Sequence, residues 1–419
     1  GAQSADPHWG CGLVGPLPGI SADGTATPQV QRLIDGLRAS SSLGKVSYWN
    51  WNFAPEVDDG QAQYLTKDFV FMPEDWGYQA DGAQKYLRPA GAVGFLDGNG
   101  HKSPAEMATV LMGANEPDMV GSCMGNMMGV CTAPCTDAEA PSCPAAQLHG
   151  TGGTPLPNGH CNCWQFSHAT GTGFWPFAGC SKPQPLPTLW KDNEPGCIAA
   201  VMAAWKATAQ AAAQKGYKYL STPLVAVDVG YARSFIEHAC GCNAGKCACQ
   251  DASCGCPVYV GFHFYGYDCQ PDQGDYDGFQ AKLSAVAKIM EDYPFVKGAI
   301  VNEVGMLNCA RSAALCIPDS GKYPAARDPH GGCPSTPALP NGLSTFMEKV
   351  IGMAAAARTR DGREVVQSFS WFALNKDGAT YDLRLVGDTG SLTPAGETYI
   401  AACSKWALQR ANRTAMLQV

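Results

Sequence analysis

The sequence has no continuous apolar stretch of the roughly 18 residues that a membrane-spanning helix requires, so no segment is expected to cross a bilayer. It also has no basic run. Its 29 Lys and Arg face 37 Asp and Glu, giving a formal net charge of -8 at pH 7. A duplex-binding surface needs clustered cations to neutralise phosphates, so nucleic acid is not an expected partner. Charged residues are scarce altogether, at 16%. A hydrophobic fraction of 45% argues against a disordered or coiled-coil chain. No internal repeat and no low-complexity linker divides the chain, which predicts one domain over residues 1–419 carrying insertions. The opening residues Gly1-Ala2-Gln3-Ser4 show no apolar signal core. The expectation is a mature chain whose signal peptide has been removed.

Glycine, proline and cysteine are abundant, at 48, 30 and 20 residues. The first two describe a loop-rich globular protein. Twenty cysteines would be hard to keep reduced in a cytosol and pair into as many as ten disulfides in an oxidising compartment. Together with the sequon Asn412-Arg413-Thr414, this predicts a secreted protein of the extracellular space or cell wall. A rival reading takes Cys240-Gly-Cys242, Cys247-Ala-Cys249 and Cys254-Gly-Cys256, with His160-Cys-Asn-Cys163, as thiolate ligands for zinc or copper. Secretion favours disulfides. Asp272, Asp275 and Asp277 lack the glycine and terminal glutamate of a calcium loop. No metal and no cofactor is expected.

Eight short apolar runs read as strands: Lys45–Trp49, Asp68–Met72, Ala92–Leu96, Val110–Ala114, Tyr219–Val227, Val258–Phe264, Gly298–Val301 and Val365–Trp371. Helical patterns lie at Thr27–Ala39, Ala199–Lys215, Phe279–Tyr293 and Ser344–Ala357. Near-continuous apolar strands alternating with helices indicate a parallel sheet covered by helices. Eight such units predict a (β/α)8 TIM barrel. Cysteine-rich insertions at 117–198, 240–256 and 309–333 follow strands four, five and seven, the second with a short helix before it. They are expected to be disulfide-stapled loops on the C-terminal face, walling a groove.

Two glutamates fall at ends of these strands. Glu116, in Asn115-Glu116-Pro117, ends the fourth run, and Glu303 ends the seventh. A barrel brings such ends to one rim. Paired carboxyls flanking one bond are what glycoside hydrolysis uses. This predicts Glu116 as general acid/base and Glu303 as nucleophile, with Asn115 reaching the sugar 2-hydroxyl. A bland alternative reads Asn-Glu-Pro as an ordinary turn tripeptide. Aromatics collect at the same predicted mouth: Trp49, Trp51, Trp76, Tyr265 and Trp371-Phe372, with His263 between Phe262 and Phe264. Their flat apolar faces suit sugar rings. Phe262 and Phe264 are expected in the core, and Tyr265 is placed to hydrogen-bond the nucleophile.

The stretches 46–51 (VSYWNW), 69–73 (FVFMP) with Trp76-Gly77, 113–118 (GANEPD), 262–266 (FHFYG), Glu303-Val-Gly305 and Ser370-Trp-Phe372, in that order, resemble glycoside hydrolase family 128. The resemblance runs from about residue 44 to 400. It implies a TIM-barrel β-1,3-glucanase with a retaining mechanism, Glu116 matching the family's acid/base and Glu303 its nucleophile. The implied partner is β-glucan, polymeric or oligomeric, and the default state is a monomer. The chain departs from the family in its longer cysteine-rich loops. It also carries Glu74-Asp75 where the family has apolar or small residues before its Trp. Other retaining barrel glycanases, of β-1,4 or mixed linkage, share the strand-four and strand-seven glutamates. A non-catalytic glucan-binding cell-wall protein is a further alternative, against which the presence of both glutamates counts.

Overall fold

A computed structural model describes residues 6–15, 17–21, 25–51, 53, 65–75, 80–96, 102–118, 194–243, 245–267, 273–307, 343–372, 384–387 and 389–416. In chain order the elements are β1 (Gly10–Val14), α1 (Pro28–Arg38), β2 (Val46–Trp49), β3 (Phe69–Phe71), α2 (Ala80–Tyr86), β4 (Val93–Leu96), β5 (Lys102–Met107), β6 (Val110–Leu111), α3 (Glu194–Gln214), β7 (Tyr219–Val225), α4 (Val229–Ala239), β8 (Cys242–Asn243), β9 (Lys246–Cys247), β10 (Tyr259–Tyr267), α5 (Gln273–Asp292), β11 (Gly298–Leu307), α6 (Leu343–Ala356), β12 (Val366–Trp371) and α7 (Pro394–Met416).

The architecture is mixed α/β around a mostly parallel sheet. Its neighbour order is β4-β5-β3-β2-β1-β12-β11-β10-β7-β6. Just past β6, Met112 pairs in parallel with Glu74, just past β3. The Asp75 N–H donates to Met112 O at 3.0 Å, and the Met112 N–H to Pro73 O at 2.9 Å. Hydrogen bonds therefore link β6 back to β3, at the far side of the same sheet.

Two strand expectations need correction. Ala92–Leu96 is not a parallel strand of the main series: β4 pairs antiparallel with β5, which in turn pairs parallel with β3. The place in the series falls to β1, between β2 and β12. Its sequence, Gly-Cys-Gly-Leu-Val, shows no apolar run. Gly12 is required because a Cβ there would collide with Ser47 Oγ and Ser370 Oγ from the strands on either side.

Alternation along each strand builds two cores. Val46, Tyr48, Phe69, Phe71, Val301, Phe369 and Trp371 face the helices. Trp9, Val14, Trp49, Val70, Met72, Met112, Tyr259 and Ile300 fill the opposite, inner face. The helices follow from local chemistry. Thr27 caps α1 by accepting the Val30 N–H, Pro28 opens its first turn, and Val30, Leu33, Ile34 and Leu37 form its buried stripe. Asp228 caps α4 by accepting the Gly230 N–H.

The six cysteines of 240–256 pair as Cys240–Cys256, Cys242–Cys247 and Cys249–Cys254. This removes the thiolate-nest reading for that segment. Its expected position is also corrected. The segment joins α4 to the start of β10, and Gly255 O accepts the Trp205 Nε1–H from α3. It therefore sits at the N-terminal edge of the parallel strands, away from the ends that carry Glu116 and Glu303. The stretches 119–193 and 309–333, which hold the other two expected insertions, lie outside the described residues. A fourth bridge, Cys11–Cys403, ties β1 to α7.

Candidate active site

Glu116 follows β6 on the segment Ala114–Glu116, which lies alongside β7. Leu224 N–H donates to Ala114 O at 2.7 Å and Glu116 N–H to Leu224 O at 2.9 Å. Two residues on, the buried Asp118 carboxylate accepts the backbone N–H groups of Ala226, Val227 and Asp228 at 2.6–2.8 Å. From the other side Lys282 Nζ donates to Ala226 O and Val227 O. The chain after β7 is thus clamped by both its amides and its carbonyls, and Glu116 is held between two fixed points.

Glu303 reaches the same place through a β-bulge. On β11, Ile300 faces inward and Val301 faces the helices. Strict alternation would then turn residue 302 inward and 303 outward. The register against β10 instead steps from Phe262↔Val301 to His263↔Glu303, and that against β12 shifts between Val301 and Val304. Asn302 is the extra residue, so Glu303 turns inward and Val304 returns to the helix-facing core.

One carboxylate oxygen from each glutamate and a ring nitrogen of His263 all lie within 4.8 Å of one another. His263 Nδ1 is 2.9 Å from Glu116 Oε1 and 3.3 Å from Glu303 Oε2. Both oxygens of Glu303 accept protein donors, Trp51 Nε1 at 2.9 Å to Oε1 and the Tyr265 hydroxyl at 2.7 Å to Oε2. Burial pushes Glu303 up, with the Glu116 carboxyl adding to it. His263, Tyr265 and Trp51 pull the other way. Burial lowers His263 against the pull of Glu303 and Asp118, favouring the neutral ring.

Among the described residues, only Trp51 (φ 62) and Glu116 (φ 45) are non-glycine residues in the left-handed region. Each such residue costs roughly 1–3 kcal/mol and persists where the surroundings over-determine it. Both strained residues belong to this one cluster.

The predicted residues divide by placement. Glu116, Glu303, Asn115, His263, Trp51 and Tyr265 come together. Asn115 is buried with an Oδ1 that has no partner among the described residues. Trp49 is buried on the inner face, edge-on behind Trp51 at 5.1 Å between ring centroids. It supports that ring and is not open to the mouth. Trp371 is corrected: it is fully buried in the helix-facing core, 6.2 Å from Phe346 of α6. Strand alternation gives the inward position to the next residue, Phe372, whose ring meets Trp51 at 5.9 Å and Tyr265 at 5.6 Å. His263 is fully buried and reaches the carboxylates, not an open cleft. Phe262 and Phe264 face the helices, packed on Phe279. Trp76 lies outside the described residues.

Sequence reasoning placed Phe372 at the mouth beside Trp371 but gave the ligand-facing role to Trp371, and it missed the Asp118–Lys282 clamp and the bulge. It could have chosen Phe372 over Trp371 from the parity of β12, while the clamp and the bulge carried no sequence signal. It noted Glu74 as a departure and gave it no role.

Two carboxylates and an imidazole this close are also a metal-ligand set. On Glu303 each oxygen accepts one protein donor, from Trp51 and from Tyr265, an arrangement that supports an anionic carboxylate without a cation. The arrangement suits one carboxylate held charged beside a second that shares a proton with histidine.

No family model matches the chain, and no curated protein matches it. Among solved structures it is similar to a GH128 (subgroup II) endo-beta-1,3-glucanase from Sorangium cellulosum at 14% identity and TM-score 0.42, over 94% of this chain and 98% of that one. A GH128 (subgroup VII) oligosaccharide-binding protein from Trichoderma gamsii matches at 13% identity and TM-score 0.42, over 94% of each chain. A GH128 (subgroup V) exo-beta-1,3-glucanase from Cryptococcus neoformans matches at 14% identity and TM-score 0.40, over 94% of this chain and 98% of that one.

Proposed function

We propose that the chain is a single-domain retaining glycoside hydrolase that cleaves β-1,3-glucan internally. The observation that carries this reading is the approach of the Glu116 and Glu303 carboxylates to within 4.8 Å. Retaining pairs stand about 5–5.5 Å apart, and inverting pairs about 6.5–9.5 Å to admit a water. The eight strands of the parallel run β3-β2-β1-β12-β11-β10-β7-β6, with β5 flanking β3 and the β6-to-β3 hydrogen bonds, support a closed (β/α)8 barrel whose C-terminal rim carries both glutamates.

Glu303, with a donor on each oxygen, attacks the anomeric carbon. Glu116 gives a proton to the leaving oxygen and later removes one from water, releasing the sugar with net retention. His263 sits between the two carboxylates as a proton partner of Glu116. Trp51 and Phe372 offer the aromatic surface for a sugar ring. The β-1,3 linkage rests on the resemblance of the ordered motifs to family 128, as does the expectation of β-glucan as partner. Three disulfides in the 240–256 segment and a fourth at Cys11–Cys403 support a secreted protein.

Glu116→Gln is expected to lower laminarin cleavage by about 10²–10⁴-fold, and Glu303→Gln to abolish it, both without change in melting temperature. Near-native activity in either variant rules out the assignment. NMR of the first-formed anomer tests retention. Reducing-sugar release from β-1,3-, β-1,4- and mixed-linkage glucans tests the linkage.

A further inference from the structure

We propose that Glu74 is a substrate-binding carboxyl that hydrogen-bonds a hydroxyl of the sugar ring lying between Glu116 and Glu303. The inference rests on the glycosidase reading above and deepens it. Glu74 follows β3 on the inner face, two residues past Met72, and pairs with Met112, four residues before Glu116. It is fully buried, and neither carboxyl oxygen has a hydrogen-bond partner among the described residues.

A buried carboxyl without partners is expensive to keep. Burial raises its affinity for a proton, and the charges of Glu303, Asp75 and Glu116 raise it further. Burial without a hydrogen-bond partner among the described residues and the upward shift both favour the uncharged COOH. An uncharged COOH offers one donor and one acceptor side by side, and a sugar hydroxyl offers the complementary acceptor and donor. The pair satisfies both partners without placing a second charge beside Glu303. Burial does not bar contact. Glu116 and Glu303 are themselves only 7% and 4% exposed, so a ring that reaches them reaches the same floor.

The test is a cycle between substrate hydroxyls and this side chain. The probes are 4-nitrophenyl β-1,3-gluco-oligosaccharides, each lacking one hydroxyl of the ring next to the leaving group. In the wild type, loss of the bonded hydroxyl is expected to lower kcat/KM by on the order of 10²-fold. In Glu74→Leu, that one penalty should fall to near unity while the others stay. Glu74→Gln, which keeps an uncharged donor and acceptor, should retain it. Melting curves check that both variants fold. All penalties surviving in Glu74→Leu would overturn the proposal. Dissociation constants for the same probes are measured in parallel. Binding without cleavage would fail the glycosidase reading, while the affinity cycle would still judge Glu74.

Discussion

At the residue scale, the Tyr265 hydroxyl on Glu303 Oε2 is the contact whose removal has the clearest sign. Its hydrogen bond stabilises the charged carboxylate, so Tyr265→Phe lets the Glu303 pKa rise. The acid limb of the kcat/KM profile should move to higher pH, with roughly a tenfold or greater loss at the plateau. An unmoved limb would mean that the hydroxyl does not act through Glu303. Glu74 makes the opposite kind of prediction, on stability. Its folded pKa lies above the ordinary 4.5. The folded state therefore holds a proton that the unfolded chain gives up as pH rises through that value. Its burden on stability is absent below about pH 4 and grows above it. Glu74→Gln should accordingly melt higher than wild type at pH 7, and the gain should vanish in acid. Glu116, Glu303, Asn115 and Tyr265 were legible in the sequence because each stands in or beside a strand-end motif. Glu74 was visible only as a departure from family 128, since its meaning lies in having no hydrogen-bond partner among the described residues, which no sequence displays.

At the scale of elements, β11 and β12 show what patterning conveys and what it hides. The apolar run of β11 announced a strand, but the bulge at Asn302 is a matter of register between chains. Without it, Glu303 would point at the helices. On β12 the parity was available. Val366, Ser368, Ser370 and Phe372 share one phase and Phe369 and Trp371 the other, yet the larger ring drew attention to Trp371. The two positions should separate cleanly. Trp371→Ala opens a cavity against Phe346 and is expected to cost about 3–5 kcal/mol in chemical denaturation. Phe372→Ala, which removes a buried ring from the inner face beside Trp51 and Tyr265, should also cost stability but in addition weaken kcat/KM by about tenfold, whereas folded Trp371→Ala should keep its kcat/KM. Equal losses of kcat/KM in the folded fractions of both variants would contradict the assignment of these residues to opposite faces. β1 escaped notice for a steric reason: the glycine that lets Ser47 and Ser370 approach is the residue that breaks the apolar run.

At the scale of the whole molecule, alternation of strand and helix was readable because a parallel sheet covered by helices demands apolar strands and amphipathic helices. The edge on which the 240–256 insertion sits was misjudged, since it depends on whether the segment follows a strand or a helix, and the short helix expected before it was given too little weight. The 240–256 knot follows α4. Cys11–Cys403 spans a separation of 392 residues. Replacing both cysteines by serine is expected to lower stability by about 2–4 kcal/mol, read as a drop in melting temperature with kcat on laminarin preserved at low temperature. Unchanged melting would show that the bridge constrains nothing.

β1 lies beside β12, and the polypeptide arrives at those two strands from opposite ends. The Cys11–Cys403 bridge fastens β1 to α7, the helix that comes after β12, and turns a linear chain into a loop. A protease that severs any single peptide bond between Cys11 and Cys403 therefore does not release a fragment. The nicked protein migrates as one piece until a reductant is added, and a circular permutant opened within that span would still carry its own suture.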